Sequence, residues 1–107
     1  MSNEMTDREL LELAAKAAGY HWPLVWPYPS PVDVPHDWNP LISDGDALRL
    51  AVRLNLLVHI ETCYYSHAMK EHISATEHIG NDGKGCIYEA TRRAIVRAAA
   101  EIGRSME

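Results

Sequence analysis

Long apolar runs are missing from this chain of 107 residues: no stretch approaches the roughly 20 residues that cross a bilayer, so the sequence predicts no membrane association. The opening MSNEMTDREL is polar and acidic and does not read as a secretory signal. Cysteine is scarce. Cys63 and Cys86 are too few for a disulfide framework, and they read as two reduced thiols in a cytoplasmic protein, with a Cys63–Cys86 bridge as the alternative. Positive charge is also short, with 10 Lys and Arg against 15 Asp and Glu and a formal net charge of −5. Non-specific nucleic-acid binding needs a basic field, so direct contact with nucleic acid is disfavoured. The acidic surplus is too mild and too evenly spread to imitate DNA. Motifs of chemistry are absent as well: no C-x-x-C, H-E-x-x-H, G-x-S-x-G, P-loop or G-x-G-x-x-G, and no internal repeat.

What is present is an ordinary globular balance, 47% apolar and 23% charged, which fits one domain over residues 1–107. The longest unbroken period is Cys86–Met106, where Ile87, Thr91, Ala94, Ile95, Ala98, Ile102 and Met106 make one apolar stripe of a helix. Arg93, Arg97, Glu101 and Arg104 fall opposite, with Glu89–Arg93 and Arg97–Glu101 spaced as i,i+4 pairs. A first helix is predicted over Asp7–Ala18. Thr6 and Glu9 spell a capping box, Met5 and Leu10 a hydrophobic staple, and Gly19 a left-handed stop. A second runs over Asp44–Leu54, capped by Ser43 and Asp46 and ended by Asn55, with Ala47, Leu48, Ala51, Val52 and Leu50 or Leu54 as its apolar side.

Leu56–Thr62 alternates as a strand, and Glu71–His78 reads as a second. Tyr64–Lys70 falls to a hairpin connection or to strand ends, and a helix over Tyr65–Ala75 is the rival reading. GNDGKG at Gly80–Gly85 is a loop. The expected architecture is α+β, three helices packed with an antiparallel sheet of two to four strands; the alternative is all-α.

Tyr20–Pro40 holds all six prolines and all three tryptophans, which argues against a central strand. It reads either as an ordered loop whose Trp22, Trp26 and Trp38 cover the core, or as an aromatic, proline-stiffened surface on which a partner docks. The first is the commoner outcome for tryptophans. On the second, Trp22, Trp26 and Tyr28 are the candidate partner contacts, with Trp38 in the core.

The candidates for chemistry are thin. His59, His67, His72 and His78 lie near Cys63, but half-exposed histidines on a sheet explain them without a metal. Cys86 opens a helix, where the dipole favours a thiolate, yet a small packed residue is the commoner meaning. Arg92, Arg93 and Arg97 could hold a phosphate or an acidic protein face, or form a solvated helix face. No catalytic residue, metal or cofactor follows from any of these, and no enzymatic activity is expected.

Three blocks carry a resemblance: TDRELLELAAKAAGY at Thr6–Tyr20, WNPLISDGDALRLAVRL at Trp38–Leu54 and ATRRAIVRAAAEIGRSM at Ala90–Met106. Together they resemble a family of small phage and prophage proteins with this opening helix, a W-N-P-L-x-D-D-G-D-A-L-R-L-A block and this closing helix. The pattern is also similar to the phage alpha-beta-alpha sandwich domain. The resemblance implies phage origin and a compact α+β domain, and it transfers no catalytic residue. Tyr20–Asp37 and Leu56–Cys86 depart from it, which puts any specific function there. The expected function is that of a phage accessory protein that binds a host protein or complex, such as an inhibitor of a defence system (an anti-CRISPR, for example). A metal- or thiol-dependent small enzyme and a nucleic-acid-binding regulator are the alternatives.

Overall fold

A computed structural model of the chain describes residues 6–19, 38–61, 65–78 and 86–106. Its helices are α1 (Asp7–Ala18), α2 (Asp44–Leu54) and α3 (Ile87–Ser105). Strands β1 (Leu57–Glu61), β2 (Tyr65–Lys70) and β3 (Ile73–His78) form one antiparallel sheet in the order β1-β2-β3. The arrangement is α+β, and the all-α alternative falls.

The helix ends follow from their sequence. Thr6 accepts from the Glu9 N–H while the Glu9 carboxylate accepts from the Thr6 N–H, closing the capping box. Gly19, at φ 82°, turns the chain out of α1, and Asn55, at φ 57°, does the same for α2. Trp38 and Pro40 are buried ahead of α2. There the Asn39 N–H donates to Asp46 Oδ2 at 2.9 Å, the Leu41 N–H to Asn39 Oδ1 at 3.0 Å, and the Asp46 N–H to the Ser43 hydroxyl at 3.2 Å. Asp46 is 6% exposed, so this carboxylate does more than answer the helix dipole: it holds the loop before α2 in place.

Among the described elements, α3 alone touches all the others. This is why it buries more than the single stripe expected from its period. Ala94, Ile95 and Ala98 of that stripe are buried, but so are Val96, Ala99, Ala100 and Gly103 on the far side, where α1 packs, and Met106 is 54% exposed. The inner face of the sheet is built from small side chains: Ser66, Ala68 and Ala75 are all buried, and Ala68 stands directly opposite Ala75. Small residues on both surfaces let α3 lie close to β2 and β3.

Several expectations are corrected here. In α2 the buried set is Ala47, Leu50, Ala51 and Leu54, whereas Leu48 is 63% and Val52 72% exposed. Positions 47, 50, 51 and 54 complete a helical stripe without Leu48 and Val52, which sit about 100° round from it. Tyr65–Lys70 is the central strand, neither a connection nor a helix. The i,i+4 pairs expected along α3 are replaced by other partners. Arg93 pairs with Asp7 of α1 at 3.0 Å and Arg97 with Glu77 of β3, while Glu101 pairs within the helix with Arg104, three residues on, at 3.5 Å. Packing brings α1 and β3 within reach of these arginines, and an interelement pair also ties two layers together.

Candidate functional site

Leu48 of α2, Ile60 of β1 and Tyr88 in the first turn of α3 are large apolar side chains left at least half exposed to solvent. Between these elements lies a groove of about 540 Å³. Ala47, Leu48 and Ala51 form one wall, Ile87, Tyr88, Thr91 and Ile95 the other, and Val58 and Ile60 the floor. The charge at its edge is self-neutralised, since Arg92 donates to Asp44 at 2.6 Å and to the Leu41 carbonyl at 2.8 Å. The groove exists because α3 covers chiefly β2 and β3, leaving the inner face of β1 only partly roofed. Isolated exposed apolar residues are normal on protein surfaces; a contiguous group in a concave site is the feature that marks a contact surface.

The outer face of the sheet carries the histidines. His59 and His67 are direct register partners, and His67 faces Thr76 in the next strand, with Nδ1 2.6 Å from the threonine hydroxyl. Tyr65 lies opposite both Glu61 and His78, with ring centroids 6.0 Å from His59 and 5.9 Å from His78. His59 Nε2 is 3.1 Å from the Glu61 carboxylate. The histidines are thus engaged with threonine, tyrosine and glutamate neighbours. Among the described residues no group of three or more His, Cys, Asp or Glu side chains is placed to hold a metal ion. His72 sits apart, in the turn between β2 and β3.

Cys86 is a free, exposed thiol at the N-cap of α3, and its side chain makes no capping hydrogen bond. The arginines of α3 are tied into the fold. Arg92 anchors the loop before α2, Arg93 meets Asp7, and Arg97 donates to the Thr76 carbonyl at 3.1 Å as well as meeting Glu77. Each guanidinium that could have met a phosphate therefore already faces an acidic group.

The partner contacts expected from sequence, Trp22, Trp26 and Tyr28, lie outside the described residues, as do Cys63 and the Gly80–Gly85 loop. Trp38 is 6% exposed, in the core where the sequence placed it. Sequence reasoning missed the groove itself. The available signal was in α2, whose period holds more apolar residues than one buried stripe can use. No family model, curated protein or solved structure matches this chain. Among the described residues, no helix is long and apolar enough to cross a membrane.

Proposed function

We propose that this chain is a small phage accessory protein that acts in the host cell by binding a host protein, the more specific form of that reading being inhibition of a defence complex. The observation that carries the binding reading is the apolar groove between α2, β1 and the start of α3. Its two walls are helices and its floor is a strand, so the occupant that fits is a third helix, the apolar face of a host-protein segment lying between them. Such a helix presents anchors at i, i+3, i+4 and i+7 and packs at about 8–10 Å from its neighbours. Leu48, Ile60 and Tyr88 would supply the contacts on this side.

Phage origin rests on the three resembling blocks. In the fold they supply α1, the Trp38–Ser43 loop with α2, and α3, which is the helical frame. The departing segments supply all three strands and the Tyr20–Asp37 stretch, so of the groove only its β1 floor comes from a departing segment, while the α2 wall belongs to a resembling block. Trp22, Trp26 and Tyr28 remain proposed contacts of the same partner.

The test is affinity capture from host lysate, followed by reconstitution of the captured protein with the purified chain. A one-to-one complex that Leu48→Asp or Tyr88→Asp disrupts supports the groove. A complex that survives both but is lost with Trp22→Ala and Trp26→Ala moves the site to Tyr20–Asp37. If nothing is captured stoichiometrically, the binding reading fails.

A further inference from the structure

We infer that the outer edge of β1 pairs with β1 of a second copy of this chain, antiparallel, to give a continuous six-stranded sheet. The inference is independent of the host-protein reading. It rests on the way the two edges of the sheet are finished.

An open strand edge presents unpaired backbone donors and acceptors, and proteins that stay monomeric blunt such edges with charged residues (lysine above all), proline, bulges or a covering side chain. The β3 edge has that treatment: Arg97 reaches across from α3 to donate to the Thr76 carbonyl and to meet Glu77. Among the described residues no side chain reaches over the β1 edge in this way, and its one acidic charge, Glu61, stands at the end of the strand. Leu57–Glu61 reads LVHIE, with no lysine, arginine or proline, and it pairs with β2 residue for residue without a bulge. Leu57, His59, Ile60 and Glu61 are all exposed.

The exposed apolar groups lie on both faces of this strand. Ile60, 50% exposed, shares the inner face with Val58, while Leu57, 63% exposed, shares the outer face with His59 and Glu61. A helix laid in the groove would cover only the inner set. A strand added at the edge approaches both.

The register follows from the pleat. Directly opposed residues must share a face, since a slip by one residue turns every side chain over. Of the antiparallel registers that keep inner opposite inner, one pairs all five residues of β1. It sets Val58 opposite Ile60 of the second copy, twice by symmetry, Leu57 opposite Glu61, and His59 opposite its own counterpart. The two-fold axis then passes at His59, and the two helical layers lie on the same side of the joined sheet. Two copies of the groove floor become neighbours across that axis. A junction of five residues is small beside the ~800 Å² per partner of a standard stable interface, so assembly should be weak and concentration-dependent, with a midpoint on the order of 100 µM.

Sedimentation of the full chain over roughly 5 µM to 1 mM tests this, a range that brackets that midpoint. The expected weight-average mass rises from 12.0 kDa toward twice that value. Leu57→Lys and Ile60→Lys, both at exposed positions, should hold it at the monomer value throughout, while Leu48→Asp, on α2 away from the edge, should leave the rise intact. The register is read separately by cross-linking in a Cys63→Ser, Cys86→Ser background. Directly opposed Cα atoms stand within disulfide reach, so His59→Cys should oxidise to a covalent dimer. Leu57→Cys alone should stay a monomer and become cross-linked only when combined with Glu61→Cys. A mass of 12.0 kDa at the highest concentration overturns the inference. So does a dimer that survives Ile60→Lys but not Leu48→Asp, or faster cross-linking of Leu57→Cys than of His59→Cys.

Discussion

Gly103 of α3 crosses Leu13 of α1 so closely that a β-carbon added to it would stand 2.0 Å from the Leu13 carbonyl oxygen and 2.9 Å from its carbonyl carbon. The neighbour is backbone, so no side-chain rotation relieves the collision. A glycine near the end of a helix otherwise reads as a weak point, since alanine is favoured there by about 1 kcal/mol. Here the missing side chain is what lets α1 and α3 touch.

Gly103→Ala is therefore expected to destabilise by about 2–4 kcal/mol, combining overpacking with displacement of α1. Denaturant titration measures it. An unchanged or higher midpoint would show that the two helices are further apart than this crossing places them.

The turn between β2 and β3 gives a change of the opposite sign. Glu71 holds φ 55° at the first of the two residues that link Lys70 to Ile73, and it is the only one of the pair with positive φ. That is the pattern of a type II′ turn, where glycine is usual. Glu71→Gly should raise stability by about 0.5–1 kcal/mol by removing the strain of a side chain in the left-handed region. A lower melting temperature would mean that Glu71 makes a contact worth more than that strain.

The same turn explains the largest misreading of the sequence. Lys70-Glu71-His72-Ile73 has no glycine, asparagine or proline, so nothing announces a hairpin, and Ala68, Met69, Lys70 and Glu71 are good helix formers. Sheet pairing overrides that propensity and makes Tyr65–Lys70 the central strand. The helices were legible because their ends are spelled out: Thr6 with Glu9, Ser43 with Asp46, and Gly19 and Asn55 as stops. Which face each helix buries was less so. A hydrophobic period counts apolar residues but not neighbours, and α3 has neighbours on several sides while α2 leaves Leu48 and Val52 uncovered. The groove needs α2, β1 and α3 together, and no local pattern encodes that.

Asp46 offers a third check. Removing its carboxylate leaves the Asn39 N–H without its acceptor in a part-buried loop and frees Arg49, whose Nη2 donates to Asp46 Oδ1 at 2.8 Å. Asp46→Ala should cost about 1–3 kcal/mol, the usual penalty for an orphaned buried donor. Asp44→Ala, which removes a largely exposed carboxylate while Arg92 keeps the Leu41 carbonyl as an acceptor, should cost about 0–1 kcal/mol. Equal losses in thermal unfolding would argue that Asp46 acts only through the helix dipole.

Leu48 separates surface from core most directly. It is 63% exposed and lines the groove, so Leu48→Asp should leave thermal stability within about 0.5 kcal/mol of the parent. The decisive measurement is binding of that variant to the reconstituted host partner, alongside the parent chain, by calorimetry. The expected result is one partner per chain for the parent and at least a hundredfold weaker binding for Leu48→Asp, with the fold intact by circular dichroism. Undiminished affinity in a folded Leu48→Asp variant would contradict the account, because the apolar groove between α2, β1 and α3 would then play no part in what the protein binds.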